Sequence, residues 1–326
     1  MNDVDILILG AGWTSDFLIP LLRENSISFA ATTRDGRARS NYNTIKFQFD
    51  PESDDATSFR HLPEAQTVII TFPIYKSGAS ERLVNLWKQT HSDTKAAFLQ
   101  LGSTGIWNGD RTLKREESEI FWYDRNSAFD PTNERAQAEV ELLKLAPDTP
   151  TTVLDLSGLW GGQRNPRNWV DRIAPTKEVL SRKGSLHLIH GLDVARGILA
   201  VHRDFRLATG QRWLLTDCRV YDVWDLVSAW GGADTTNYLS VSSGNAAPPT
   251  SQISSTVSYC AHAQHSVTEP LLQIVTSPQP SWVRALMVEN GVRALPRPPS
   301  ALGNALDSRE FWDTFGISPA KTLLAT

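Results

Sequence analysis

The sequence predicts an α/β protein built on a doubly wound parallel sheet, with a smaller C-terminal region beside it. Strand-like and helix-like runs alternate through roughly the first half of the chain, which is typical of parallel strands joined by crossover helices. The run 67–72 is almost wholly apolar, as expected of a strand buried on both faces. The first apolar run leads straight into a glycine-rich turn at Gly10.

Hydrophobic periodicity gives the order of the elements. Short apolar runs predict strands over residues 5–9, 28–33, 44–49, 67–72, 96–101 and 152–156. Apolar residues spaced by three and four predict helices between them, over 14–24, 80–89 and 131–145. Beyond residue 158 the pattern loosens, and further elements are predicted as a helix over 193–201, a strand over 212–215 and a helix over 223–229.

Composition narrows the range of partners. The 326 residues carry a formal net charge of −4 and contain no long basic run, which argues against nucleic acid as a partner. Arg34, Arg37 and Arg39 form the densest basic patch. No apolar stretch approaches a membrane span, and the N-terminus lacks the features of a secretory signal. With only two cysteines, the chain is expected to be cytoplasmic and free of any membrane.

The turn after the first strand reads Gly10-Ala11-Gly12-Trp13-Thr14-Ser15, a G-x-G-x-x-S pattern that opens a predicted helix. In a Rossmann fold the first glycine permits the tight turn and the second lets the backbone approach a pyrophosphate. The third position needs a small residue, which Ser15 supplies, and the helix N-terminus offers free N–H groups to phosphate. We therefore predict dinucleotide binding by five residues of this turn: Gly10, Gly12, Trp13, Thr14 and Ser15.

The second strand ends Thr32-Thr33-Arg34, at the expected position of the adenosine ribose. An arginine there suits the 2′-phosphate of NADP, whereas a carboxylate would bind the 2′-hydroxyl of NAD. Arg34 therefore favours NADP(H) over NAD(H), with Arg37 adding charge, although a shift of one residue would place Asp35 at the site. By position alone, other strand ends contribute further cofactor-binding candidates: Thr33, Asp50, Thr71 and Phe72.

Four further stretches carry a family resemblance: 101–107, 156–164, 188–196 and 213–224. The first contains a serine after the fifth strand, and the third reads Leu-Ile-His-Gly-Leu-Asp-Val-Ala-Arg. Together with the glycine turn they resemble the extended short-chain dehydrogenase/reductase superfamily, in its atypical branch of NAD-dependent epimerase/dehydratase-like proteins. The resemblance spans residues 5 to about 231. It implies a Rossmann fold that binds NAD(P), with Leu159 near the cofactor.

The resemblance also implies a division of the chain. Residues 1–160 are expected to form the NADP-binding Rossmann domain, to which 186–230 return. Residues 161–185 and 231–326 are then expected to form the substrate-binding region. The helix after His190 is expected to be capped by Asp193.

The catalytic residues of the superfamily are only partly present. Ser103 matches the serine that holds the substrate oxygen, with Thr104 as an alternative. The Tyr-x-x-x-Lys pair is missing, because aligning its helix places Pro131 at the Tyr position and Arg135 at the Lys position. An arginine does not lose its proton in a protein, so the usual proton relay is absent. Tyr123 is a candidate proton donor, with Asp130 or a water on Ser103 as alternatives. Arg135 is a candidate anchor for the cofactor ribose or for an anionic substrate.

Two tryptophans, Trp107 and Trp160, lie in segments expected at the substrate and predict a bulky or aromatic small molecule. The sequence Cys260-x-His262-x-x-His265 offers no fourth ligand, so no metal site is expected. The preferred hypothesis is an NADP(H)-dependent oxidoreductase that reduces a carbonyl or related group in an atypical active site. The alternative is a non-redox enzyme (an isomerase or cyclase) or an NADP-sensing protein on the same fold. The resemblance also makes a homodimer possible.

Overall fold

The computed structural model describes residues 3–39, 41–91, 95–107, 121–146, 148–231 and 278–325. Within these ranges the strands are β1 (Val4–Leu9), β2 (Phe29–Thr33), β3 (Ile45–Lys46), β4 (Ala65–Ile70), β5 (Ala97–Ser103), β6 (Phe121–Tyr123), β7 (Thr151–Leu156), β8 (Gly158–Trp160), β9 (Ser185–Leu186), β10 (Leu188–His190), β11 (Arg212–Leu215), β12 (Tyr221–Asp222) and β13 (Asn304–Leu306). The helices are α1 (Ser15–Glu24), α2 (Ala79–Thr90), α3 (Glu134–Leu143), α4 (Val170–Ile173), α5 (Lys177–Ser181), α6 (Gly191–Arg203), α7 (Phe205–Ala208), α8 (Val223–Trp230), α9 (Gln279–Glu289) and α10 (Arg309–Thr314).

The central sheet has seven parallel strands in the order β3-β2-β1-β4-β5-β7-β11. The strand order reverses between β1 and β4, and this switch point is where a doubly wound sheet opens a crevice for ligands. The predicted fold class is thus confirmed. The third strand was predicted over 44–49 but is only two residues long, because it lies at the edge and pairs with β2 alone.

Alternate residues of the strands fill two cores, one on each face of the sheet. On one face Ile6 and Ile8 of β1 pack with α1 and α6, while on the other Leu7 and Leu9 pack with α2. All four side chains are fully buried. At about 1.5–3 kcal/mol for each such side chain, this two-sided burial is a large favourable contribution to folding. The sheet is therefore a rigid platform for the loops at its carboxyl edge.

The C-terminal part of the chain contributes to both the sheet and a smaller cluster. Helix α9 packs with α5 and α8 through an apolar cluster that includes Val283 and Trp224. Helix α10, which belongs to the predicted substrate-binding region, packs Phe311 against Trp213 of β11. Strand β13 pairs in parallel with β6. The last segment thus packs on the part of the chain that forms the central sheet.

The prediction that Asp193 caps α6 is wrong. The cap is His190, whose Nδ1 accepts a hydrogen bond from the Leu192 amide at 3.1 Å. Asp193 lies inside the first turn, fully buried, and accepts hydrogen bonds from the amides of Ala320 at 2.8 Å and Lys321 at 2.9 Å. The Asp193 carboxylate therefore holds the C-terminal segment to the start of α6.

A histidine between β9 and β10 makes stability depend on pH. The Nε2 atom of His187 accepts a hydrogen bond from the Leu306 amide at 3.1 Å, and burial lowers the pKa of His187 to about 4. The folded state disfavours the protonated ring of His187. The neutral ring therefore contributes its full share of the unfolding free energy above pH 6.5, the pKa of the unfolded state, and this share is lost as the pH falls from 6.5 towards 4.

We expect His187→Gln, which keeps an acceptor but cannot titrate, to flatten this dependence. The difference in unfolding free energy between wild type and variant should change by up to about 3 kcal/mol across that window. Denaturant titrations at several pH values would measure it. Parallel curves for the two proteins would contradict the prediction.

Candidate functional site

The glycine turn lies at the carboxyl end of β1, beside the switch point of the sheet. Gly10 has φ +91°, a backbone conformation that side chains with a Cβ rarely adopt. A Cβ on Gly10 would lie 2.8 Å from Thr71 Oγ1 and 3.2 Å from Phe72 Cδ1. The Gly10 amide donates to Thr32 Oγ1 at 3.0 Å. The turn therefore requires glycine at position 10. Thr71 and Phe72, which follow β4, pack against one side of the turn.

The next residues leave a cradle of unpaired amides. In the part of the chain that the structure describes, the N–H groups of Gly12, Trp13 and Thr14 donate to no acceptor. A Cβ on Gly12 would meet only the Gly10 carbonyl oxygen, at 3.9 Å, so the space above the turn is open. These three amides stand at the N-terminus of α1, where the helix dipole favours an anion.

The third small residue of the motif faces the core. Ser15 is 1% exposed and Thr14 is 8% exposed, so both side chains are packed beneath the turn. The Ser15 hydroxyl is buried without a hydrogen-bond partner within the described ranges. Ser15 is therefore placed for close packing of α1 on the sheet, the role that the third glycine position has in this motif.

The basic patch follows β2, and its arginines differ in environment. Arg39 Nη2 donates to the Ala11 carbonyl at 2.8 Å, which brings this guanidinium to the glycine turn. Arg34, at the strand end, is exposed, and Arg37 pairs with Asp35. Sequence reasoning placed Arg39 in the patch without giving it a role. Its reach to the turn depends on the fold of the 34–42 loop, which spacing does not reveal.

The alternative at this position, Asp35, is already engaged. Its carboxylate accepts hydrogen bonds from the Arg37 amide at 3.2 Å and from Thr33 Oγ1 at 3.1 Å. The pKa of Asp35 is lowered, chiefly by the Arg37 amide. Thr33 also forms a hydrogen bond with Thr44, the residue before β3, and so stabilises the loop. Asp50 lies beyond the end of β3, exposed, and accepts from the Glu52 amide.

At the end of β5, Ser103 is half-buried and its amide donates to Asp155 Oδ1 at 2.9 Å. Its Oγ accepts a hydrogen bond from the Gly105 amide at 3.2 Å, which leaves the hydroxyl hydrogen available to a ligand. Thr104 is 7% exposed and its Oγ1 lies 3.4 Å from the Leu156 carbonyl oxygen. Of the two predicted candidates, Ser103 is the accessible one.

A buried charge cluster lies beneath Ser103, and sequence reasoning missed it. Arg212 Nη1 donates to Glu139 Oε2 at 2.6 Å and to Asp155 Oδ2 at 3.0 Å. Both carboxylates are fully buried. The pKa of Asp155 is raised well above its ordinary value by burial and by the neighbouring Glu139. The only signal in the sequence was a lone aspartate inside the otherwise uncharged strand β7.

Arg135, at the Lys position of the superfamily pattern, belongs to the same cluster. Its Nε donates to Glu139 Oε1 at 3.3 Å and its Nη2 donates to the Leu101 carbonyl at 3.0 Å. The guanidinium is therefore held against β5 and α3. These contacts account for the Arg135 charge without a cofactor, so its predicted role as an anchor has no support in its geometry.

Two predicted site residues belong to the core instead. Trp107 is 2% exposed and its Nε1 donates to the Ser127 carbonyl at 3.0 Å. Tyr123 is 6% exposed and packs in the same apolar cluster with Ile106 and Leu214. This burial argues against substrate contact by Trp107, whose indole N–H is taken by Ser127, and against Tyr123 as an accessible proton donor.

The segment after β7 places Leu159 and Trp160 on a short parallel pair of strands, β8 and β10. Leu159 is half-buried against the core, whereas Trp160 is 7% exposed and packs edge to face on His190 at 4.6 Å between ring centroids. Trp160 Nε1 is buried without a partner among the residues described. Trp160 is therefore largely enclosed.

No group of three or more potential metal ligands occurs within the described ranges. The residues Cys260, His262 and His265 lie outside them. No helix in the same ranges is long and apolar enough to cross a bilayer.

The sequence matches no family model and no curated protein. Solved structures are similar in fold. A nucleoside-diphosphate-sugar epimerase from Pseudomonas aeruginosa is 14% identical, with a TM-score of 0.56, over 99% of this chain and 94% of its own. RMD from the same organism, solved with NADPH, is 12% identical with a TM-score of 0.52, over 98% and 94%. An epimerase from Methanothermobacter thermautotrophicus is 11% identical with a TM-score of 0.53, over 99% and 89%.

At these identities the likeness concerns the fold, and it agrees with the strand order and the glycine turn described above. The protein has a doubly wound Rossmann-type α/β fold, like that of these solved structures.

Proposed function

We propose that this protein is an NADP(H)-dependent oxidoreductase that acts on a carbonyl or related group of a small or medium-sized organic molecule. The observation that carries the proposal is the cradle of unpaired amides at Gly12, Trp13 and Thr14, open to solvent above Gly12. A diphosphate fits this cradle, because it accepts several hydrogen bonds and its charge is favoured at the N-terminus of α1.

The charges around β2 favour NADP(H) over NAD(H). Arg34 is exposed at the strand end and Arg39 reaches the turn, so two guanidinium groups lie on the adenosine side of the cradle. Asp35, the carboxylate that a bound NAD would need, is engaged by Thr33 and Arg37. A 2′-phosphate therefore finds guanidinium groups without a carboxylate partner in the described residues, whereas the Asp35 carboxylate is already partly occupied by Thr33 and Arg37.

Bound NADP(H) supplies or accepts a hydride at its nicotinamide ring. On the protein side, Ser103 is the group placed to hold the substrate oxygen, because its hydroxyl hydrogen is free and its backbone is fixed by Asp155. A hydrogen bond to that oxygen stabilises negative charge as it develops there. The proton that completes reduction then comes from solvent or from the substrate, since Tyr123 is buried and Arg135 is tied to Glu139.

Arg34→Ala tests the cofactor preference. We expect it to weaken NADPH binding by about ten- to a hundredfold, since it removes a charge-assisted hydrogen bond, while NADH binding changes less than about threefold. Fluorescence titration of the reduced nicotinamide measures both affinities. Arg206→Ala serves as the matched control, because Arg206 is likewise exposed and lies on α7, outside the loop that follows β2. Equal losses of NADPH and NADH would contradict the assignment of Arg34 to the 2′-phosphate.

The reaction itself is tested by mixing the protein with NADPH and a panel of aldehydes, ketones, imines and nucleoside-diphosphate sugars. The last class enters the panel because a solved neighbour acts on such sugars. Loss of nicotinamide absorbance that Ser103→Ala reduces would support the proposal.

One observation favours a second candidate, a non-redox isomerase or cyclase or an NADP-sensing protein. The superfamily's proton relay is missing, and its Lys position holds an arginine locked by Glu139 and the Leu101 carbonyl. Tight NADPH binding without turnover of any panel member would favour this candidate.

A further inference from the structure

A tight hairpin follows strand β8 and ends at Arg164. The amide of Gly161 donates to the Arg164 carbonyl at 2.9 Å, and the amide of Arg164 donates back to the Gly161 carbonyl at 3.0 Å. Gly161 and Gly162 have φ of +110° and +56°, both in the region that glycine favours. A Cβ on Gly161 would lie 2.3 Å from His190 Nε2, so the turn has little freedom to move. The backbone that carries Arg164 is thus fixed.

The hairpin is tied directly to the glycine turn. Trp13 Nε1 donates to the Gly161 carbonyl at 3.1 Å, and the Trp13 ring packs edge to face on Phe17 of α1 at 4.9 Å between centroids. The Arg164 guanidinium lies over the Trp13 ring, with its central carbon 4.4 Å from the ring centroid. A stacked guanidinium is restrained in position while the N–H groups at its edge stay free for hydrogen bonding.

The Arg164 guanidinium forms no ion pair with the residues that the structure describes. Arg164 is also exposed. The residue on which it stacks, Trp13, is also the middle one of the three residues with unpaired amides. The Arg164 guanidinium and the three unpaired amides come from separate parts of the chain. Both meet at Trp13. Phosphate oxygens satisfy both kinds of donor.

We propose that Arg164 is a phosphate-binding residue that completes the glycine turn from the side opposite Arg34. This inference extends the proposed function, because it assigns a ligand group to a residue outside the dinucleotide motif. The phosphate belongs either to the diphosphate of NADP(H) or to a phosphorylated substrate bound beside it. The Trp13 stack and the 161–164 hairpin position the guanidinium for planar, two-point contact with such a group.

The test compares wild type with Arg164→Met, whose side chain keeps a long apolar stem over Trp13 but carries no charge. Arg167→Met is the matched control, since Arg167 is exposed three residues further along without an ion pair in the described ranges. Calorimetric titrations use NADPH on the free protein, and then UDP or uridine on the NADPH-loaded protein. Circular dichroism and thermal melting show that both variants are folded.

If Arg164 contacts the cofactor, NADPH affinity falls about ten- to a hundredfold in Arg164→Met alone, and the salt dependence of binding becomes shallower. If it contacts a substrate phosphate, NADPH affinity is unchanged while UDP weakens by a similar factor and uridine does not. Unchanged NADPH and UDP affinities in Arg164→Met overturn the inference. If the wild-type protein binds UDP but not NADPH, the proposed function is refuted while the inference about Arg164 can still be tested with UDP. If the wild-type protein binds neither NADPH nor UDP, both the proposed function and the inference are refuted.

Discussion

Gly12→Ala is expected to abolish dinucleotide binding while leaving the fold intact. The new methyl group would meet only the Gly10 carbonyl oxygen, at 3.9 Å, so the protein itself accommodates it. It would occupy the space through which a diphosphate reaches the amides of Trp13 and Thr14. Losing two or more charge-assisted hydrogen bonds lowers NADPH affinity by more than about a hundredfold.

Gly10→Ala is the informative contrast. There the methyl group would collide with Thr71 at 2.8 Å, and the backbone would be strained at φ +91°. We expect a loss of about 1–3 kcal/mol in unfolding free energy, in addition to weaker binding. NADPH titrations and denaturant melts on both variants separate the two effects. A Gly12→Ala protein that binds NADPH like wild type would show that no diphosphate approaches the turn.

Arg212→Met is expected to have the largest effect on stability. It leaves the buried carboxylates of Asp155 and Glu139 facing each other without their shared cation, which costs about 3–5 kcal/mol. Arg135→Met removes an arginine that is 22% exposed and contacts only Glu139 of the two carboxylates, so it should cost less. Denaturant unfolding measures both.

A third variant keeps the prediction testable if the Arg212→Met protein does not fold. Replacing the whole cluster with neutral groups, as Asp155→Asn, Glu139→Gln and Arg212→Met together, removes the uncompensated charge. We expect most of the lost stability to return, although the Ser103 amide then donates to a neutral amide oxygen. A cost below about 1 kcal/mol for Arg212→Met alone would show that its charge is not needed to hold the two carboxylates.

The sequence was sufficient to predict the sheet because its signals are local. Apolar runs, helical spacing and a glycine turn each lie within about a dozen residues, and parallel order follows from their alternation. The edge strand β3 was predicted too long because the paired length of an edge strand depends on its neighbour. The choice between Ser103 and Thr104 was left open because burial at the end of β5 depends on how the following turn folds.

The site residues that sequence reasoning missed are joined over long distances along the chain. Arg212 meets Glu139 and Asp155 only once β11 and α3 pack on β7. Trp107 was misread because its polar atom is satisfied by the backbone of Ser127, twenty residues away. Arg39 turns back to Ala11 through a loop whose shape no periodicity encodes. Contacts of this kind are set by tertiary structure, and single-sequence patterns carry no record of them.

The carboxylate of Asp193 joins α6 to a segment that is synthesised much later than the helix itself. Its acceptor atoms are satisfied by amides more than 120 residues later, at Ala320 and Lys321, with Arg196 as the nearby cation. Until residues 320–321 are made, a nascent chain in which α6 already packs on α1 buries a carboxylate that Arg196 alone compensates. Helix α6 should therefore reach its full protection from amide hydrogen exchange only once residues 320–321 have folded back onto it, so a helix is locked by residues made long after it.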